Sequence, residues 1–431
     1  MINRRFFSVM LTMLMAAGLS AQKPEFKRKG IVVAESDSVK LDIGIHSVGR
    51  LQYLSQNNVR IWDNSGEWKT PVKTAEGMQT SFANLEFNLS LGDNDIDIFM
   101  DILLATQRHP SQTWVNNGYM YIRRIPGNSF LTALNPVLKY VDIKAGNFYI
   151  DYGEHLHTMT INADTHRNPL IGNPVVAPFG NEPGIEIIHN AKNYGVMAGT
   201  GIGAPEQDFG GGRSWSFHTK AWFSALEQLY FSGSLYTVNH GQVSRGANLF
   251  RRERLGSPYG GIWNLNNDNT GNGEGPGQVR PGIGKKLTSW EINGLWTPSS
   301  STKISAYYGQ GSSLGPNVVP SGGLTLPKGD EKWDYYTFAA QHYLAPNKFY
   351  LAARYSNIHY NKLWTEDNTG SVGRLQAGFG AFVTKNILLK GEYVYQQAKG
   401  FKPETISVSN GVDVGNKPSF NGLAMEFALS F

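Results

Sequence analysis

Residues 95–104 read Asp95-Ile96-Asp97-Ile98-Phe99-Met100-Asp101-Ile102-Leu103-Leu104. Successive side chains of a strand point to opposite faces. Ile96, Ile98, Met100, Ile102 and Leu104 therefore share one face, and Asp95, Asp97 and Asp101 share the other. An unpaired carboxylate in a dry core costs several kcal/mol, so the acidic face must meet water or partners. A soluble barrel hides its apolar residues inside, whereas a membrane barrel turns them toward lipid and keeps its interior polar. The stretch fits the second arrangement. Gly92-Asp93-Asn94, just before it, is a hairpin turn signal.

Working outward, the pattern repeats along the chain. Sixteen segments alternate apolar and polar: 39–54, 80–91, 95–105, 117–125, 140–150, 184–190, 194–202, 214–225, 228–239, 287–297, 302–311, 333–344, 348–360, 372–384, 387–398 and 419–431. In 387–398, Ile387, Leu389, Tyr393 and Tyr395 oppose Lys390, Glu392 and Gln396. In the last segment, Leu423, Met425, Phe427, Leu429 and Phe431 oppose Glu426. The links alternate between short turns (Ala191-Lys192-Asn193, Leu226-Glu227, Ala345-Pro346-Asn347, Lys385-Asn386) and long Gly/Asn/Ser/Pro loops. Only residues 126–139 break the short set. This is the signature of a transmembrane antiparallel β-barrel of about sixteen strands, with short periplasmic turns and long extracellular loops. Aromatic residues near segment ends (Tyr53, Tyr119, Tyr121, Trp290, Trp296, Trp333, Tyr335, Tyr336, Tyr343, Phe349 and Tyr360) are read as girdles at the headgroup level.

The first twenty-one residues form a signal peptide: Arg4 and Arg5, an apolar run from Phe6 to Leu14, and the small-residue site Leu19-Ser20-Ala21. Cleavage there removes two arginines and lowers the formal charge from +5 to about +3. Residues 22–38 read as a flexible lead-in, and 39–431 as the barrel. The expected destination is the outer membrane of a Gram-negative bacterium. The chain has 0 cysteines, which excludes disulfides, thiolate metal sites and a cysteine nucleophile. Its 39 basic residues are scattered, and against 34 acidic ones they give no nucleic-acid footprint. An aromatic Phe431 closing an amphipathic strand resembles the signal read by the barrel assembly machinery.

Several short motifs resemble the phosphate-selective porin O/P family. They are Gly49-Arg50-Leu51-Gln52, Val141-Asp142-Ile143-Lys144-Ala145-Gly146-Asn147-Phe148, Tyr350-Leu351-Ala352-Ala353-Arg354-Tyr355, and Arg374-Leu375-Gln376-Ala377-Gly378 followed by Thr384-Lys385-Asn386-Ile387 and Glu392-Tyr393. Ala21-Gln22 is similar to the signal-peptide end of exported Bacteroidetes proteins. The resemblance implies a sixteen-stranded, often trimeric pore, passing small hydrophilic solutes, with its third loop folded inward. Outer-membrane lipid and lipopolysaccharide are the expected surroundings, and no cofactor is implied. Relatives selective for phosphate line the pore with arginine and lysine. Here the inward faces carry Lys40, Arg50, Lys144, Lys220, Lys303, Arg354, Arg374 and Lys390 against Asp42, Glu86, Asp97, Asp101, Asp142, Glu291, Glu392 and Glu426. Balanced walls predict weak selectivity.

The third loop, 151–183, is the most unusual stretch. Asp151, Glu154, His155, His157, Asp164, His166 and Arg167 make it a candidate constriction that sets opposed charges across the lumen. A solvated loop without such a role is the alternative. Glu154-His155-x-His157 lacks the i, i+4 spacing of a zincin, so no metal site is assigned. Arg245, Arg251, Arg252 and Arg254 in loop 240–286 are either a basic patch for anionic groups or part of a long surface loop. Two other functional classes stay open. One is a closed barrel whose surface loops bind a partner or ligand. The other is a barrel hydrolase, for which Ser216 and His218 offer a poor i, i+2 geometry and no G-x-S-x-G elbow exists. No enzymatic activity is expected.

Overall fold

The computed structural model describes residues 30–431 except 63–66, 71–72, 93–94, 105–113, 128–129, 204–214, 240–248, 251–257, 264–276, 282–285, 315–316, 322–323, 347, 364–367, 403–405 and 408–411. Arg245, Arg251, Arg252 and Arg254 of loop 240–286 and the signal peptide lie outside the described residues.

Sixteen antiparallel strands form one closed barrel. In chain order they are β1 (Val39–Asn57), β2 (Thr74–Leu91), β3 (Ile96–Leu104), β4 (Trp114–Ile122), β5 (Asp142–Tyr149), β6 (Asn181–Asn190), β7 (Tyr194–Gly201) and β8 (Trp215–Leu226). The second half comprises β9 (Leu229–Asn239), β10 (Lys286–Ser299), β11 (Thr302–Leu314), β12 (Glu331–Ala345), β13 (Phe349–Leu363), β14 (Gly370–Thr384), β15 (Ile387–Lys399) and β16 (Ser419–Ser430). Each pairs with its chain neighbour, and β16 closes on β1 with Arg50 opposite Glu426 and His46 opposite Ser430. The sixteen segments read from the sequence all correspond to barrel strands.

Local chemistry explains the turns. Gly92 takes a left-handed φ of 60°, and its carbonyl accepts from the Asp95 N–H at 2.9 Å, closing β2 onto β3. The β14–β15 turn is held by the Thr384 hydroxyl, which accepts from the backbone N–H groups of Asn386 and Ile387. The anomalous link between β4 and β5 carries a short 3₁₀ turn, Phe130–Leu134, and one helical turn, Asn135–Leu138.

Period-two burial runs through most strands. In β16, Leu423, Met425 and Phe427 are exposed on the outside, while Ala424, Glu426 and Ala428 are buried inside. Apolar residues on the outer face need no protein partner where lipid supplies one.

Two findings depart from the sequence reading. Ile31–Ser36, within the stretch read as a lead-in, is a strand paired with Val39–Ile43. It continues the sheet beyond the end of β16. Second, Trp333, Tyr335 and Tyr360 are not girdle residues. They lie inside the barrel, each no more than 1% exposed, in an apolar cluster with Leu54, Tyr236, Leu287, Ile358, Val372 and Phe420. Their strand neighbours explain this. Trp333 and Tyr335 share a face with Glu331 and Thr337, which are also buried. The interior is thus apolar toward the long-loop end and charged deeper down.

Candidate functional site

Residues 150–180 lie inside the barrel, between β5 and β6. The segment starts where Gly153 adopts a φ of 59°, a left-handed conformation that glycine reaches without a Cβ clash. A methyl there would fall on the Glu291 carboxylate. One helical turn, His155–Thr158, follows. A tight turn then pairs Ile161 with Asp164, with Asn162 at φ 52°, a value that asparagine tolerates. From Leu170 to Gly180 the loop is buried throughout.

Four groups of wall residues hold this loop. Lys220, on β8, is fully buried and donates to Asp151 at 2.8 Å and to the Gly153 carbonyl at 2.5 Å, with Glu154 at 3.1 Å. The Tyr230 hydroxyl also donates to Glu154, at 2.8 Å. Asp151 and Glu154 remain 22% and 12% exposed, so their outer edges border open space. Burial alone would push the Glu154 carboxyl up; Lys220, with His157, outweighs it and holds the group below the usual range.

His155 points at β10, where its Nε2 lies 2.7 Å from Glu291. The Tyr335 hydroxyl donates to the same carboxylate at 2.8 Å. His155 is therefore committed to the wall, and Glu154 to Lys220 and Tyr230.

The third group grips the loop backbone. Glu392 accepts from the N–H groups of Ile171 and Gly172 at 2.7 and 3.1 Å. Arg354 donates to the Gly172 carbonyl and Arg374 to the Asn173 carbonyl. Gln376 and Gln396 orient the two guanidinium groups at 2.9 and 2.7 Å. These three charged residues, expected on the wall, thus close on peptide groups of residues 171–173.

The fourth group lies toward the short-turn end. Glu426 bridges Arg50 at 2.7 Å and Lys390 at 2.9 Å, and Lys390 donates to the Thr165 carbonyl at 2.6 Å. Arg167 bonds Asp164 and the Leu156 carbonyl. His166 packs near Lys390 and His46. Burial and the Lys390 charge push its value down to about 4, so it is neutral at physiological pH.

Away from the loop, Asp97 binds Ser90 and Arg123 at 2.7 and 2.8 Å, and Asp101 binds Asn84 and Asn116 at 2.8 and 3.1 Å. Lys144 pairs with Glu186 at 3.0 Å and sits over the Phe148 ring at 4.1 Å. Sequence reasoning missed Glu182 and Glu186. They face inward on β6 four residues apart, a period-two signal that was available. Ser216 and His218 each bond a different one of these glutamates, at 2.5 and 3.0 Å.

Such a barrel, apolar outside and carrying charged groups inside, defines the architecture of outer-membrane β-barrel proteins. No family model and no curated protein matches the chain. Solved structures do resemble it in fold. The outer-membrane channel DcaP of Acinetobacter baumannii aligns at TM-score 0.54 and 12% identity, covering 94% of this chain and 100% of that one. An anion-selective porin from Comamonas acidovorans gives 0.51 and 12%, covering 91% and 100%. The trimer form of in-vitro folded OmpT of Vibrio cholerae gives 0.52 and 12%, covering 92% and 100%.

Proposed function

We propose that the chain is an outer-membrane channel for passive diffusion of small hydrophilic solutes or ions, with residues 151–180 as its selectivity element. The observation that carries this reading is the pairing of loop charges with wall charges across the interior of a sixteen-stranded barrel. Barrels of this strand number have room for an aqueous path. Lys144, Asp151, Glu154 and His157 are the half-buried charged or titratable groups around which such a path would run. Wall charges of both signs, some ion-paired and others held by amide and backbone groups, favour weak selectivity over the phosphate preference of the porin O/P family. Likeness to a trimeric barrel supports a homotrimer. Phe431, at the end of β16, would serve as the assembly signal.

The test is single-channel recording of the refolded protein in a planar bilayer under a salt gradient. Steady, weakly selective openings are the expected result. A silent bilayer from folded protein would favour a second reading, a closed barrel whose surface loops bind a partner. The apolar cluster that fills the long-loop end of the interior is the observation on that side.

A further inference from the structure

Three potential metal ligands from three different elements meet near the short-turn mouth: His46 on β1, Glu86 on β2 and Asp164 on the luminal loop. One ligand atom of each lies within 4.8 Å of the others, and all three residues are buried. Their placement is built into the backbone. His46 and Glu86 come from adjacent strands with inward faces. Asp164 is delivered by the tight turn with Ile161, and that turn is tied to the wall by the Ala163 N–H, which bonds the Asn84 side-chain oxygen at 2.8 Å.

The His46–Glu86 spacing matches that of two ligands on one cation. His46 Nε2 and Glu86 Oε2 stand 3.5 Å apart, at the far limit of a hydrogen bond. Two ligands held at about 2.0–2.2 Å by a tetrahedral ion would sit roughly 3.4 Å from each other. The surrounding contacts suit the same role. Ser430 Oγ engages His46 Nδ1 at 2.8 Å, which turns Nε2 toward the two carboxylates. Metal-bound histidines characteristically have their other ring nitrogen fixed in this way. Arg167 likewise fixes the Asp164 carboxylate within the loop.

We propose that His46, Glu86 and Asp164 bind one divalent cation of the zinc class, and that the cation latches the luminal loop to β1 and β2. A ligand set of one imidazole and two carboxylates selects zinc or manganese over calcium or magnesium, which take oxygen ligands in larger number. A fourth position would be left for water. The proposal stands whether or not the barrel conducts.

The experiment uses the full refolded barrel, its fold confirmed by heat-modifiable migration. It is stripped with a chelator, loaded with Zn²⁺, and assayed for bound metal after desalting; Co²⁺ loading adds a visible spectrum that reports nitrogen and oxygen ligation. One metal per chain is expected. Asp164→Asn and Glu86→Gln, which preserve shape, should each weaken binding at least 100-fold. Ser430→Ala should weaken it about 10-fold through the imidazole, and His342→Gln, at an exposed histidine on β12 that touches neither the loop nor the three ligands, should leave it unchanged. Folded protein that retains no Zn²⁺ would mean a plain His46–Glu86 contact and would overturn the proposal. So would retention undiminished in Asp164→Asn.

Discussion

Replacing Asp151 and Glu154 together by Asn and Gln tests whether the loop borders the permeation path. The two carboxylates and Lys220 form one cluster of net charge −1. The double variant leaves the ammonium alone, at +1, held by the Gly153 carbonyl. Because both acids keep partial exposure, a water-like dielectric is the appropriate limit. An ion passing at about 5 Å feels roughly 0.8 kcal/mol per charge by 332/(εr). Screening at about 0.1 M salt reduces this to roughly 0.5 kcal/mol. Removing two charges therefore raises the barrier for a cation by about 1 kcal/mol and lowers that for an anion by the same amount. The anion-to-cation permeability ratio should rise at least about tenfold. The assay is the reversal potential of single channels under a salt gradient, with wild type recorded in the same bilayers. A reversal potential that stays put, in channels that still open, would place the loop's charged edge away from the ion path and refute the reasoning.

Further expectations concern how the loop is held. Lys220→Met leaves two carboxylates facing each other; breaking a buried pair costs about 3–5 kcal/mol, and their partial exposure reduces this to about 1–3. Protease cleavage within residues 151–167 should quicken roughly tenfold or more while the barrel stays folded, and an unchanged rate would count against Lys220 as an anchor. Gly153→Ala combines about 1–2 kcal/mol of left-handed strain with a clash on Glu291, so the temperature of the heat-modifiable transition should fall. The depressed Glu154 carboxyl stabilises the docked loop above its unfolded titration range, and that contribution is lost as pH falls through its folded value. Protection of the 151–158 amides, taken relative to intrinsic exchange at each pH, should therefore fall in strong acid and hold on the alkaline side. His166, already neutral, contributes no transition near pH 6. Trp333→Ala should cost about 3–5 kcal/mol, read as a lower unfolding midpoint, because its ring is enclosed by the apolar interior.

The barrel was legible in the sequence because its information is local. A two-residue period names both faces of a strand without reference to any other strand, and Asp97 and Asp101 against Ile98 and Met100 suffice for β3. Turn chemistry at Gly92 and Lys385-Asn386 adds the order of pairing, and sixteen such units close with their neighbours. The same period assigned the inward side of Arg50, Lys144, Arg354, Arg374, Lys390 and Glu392. It does not say what an inward residue meets. Trp333 and Tyr335 read as girdle residues from their aromatic character, yet they face an interior that other segments of the chain fill. Arg354, Arg374 and Glu392 read as pore charges, but they bond the backbone of residues 171–173, about 180 to 220 positions away in the chain. The loop's partners follow neither from its own pattern nor from that of the wall. An irregular segment has no period; its position is the sum of hydrogen bonds and ion pairs that exist only after the barrel has closed and brought β8, β10, β13, β14 and β15 around it. Strand identity and facing are thus properties of the sequence, and the occupation of the interior is a property of the tertiary structure.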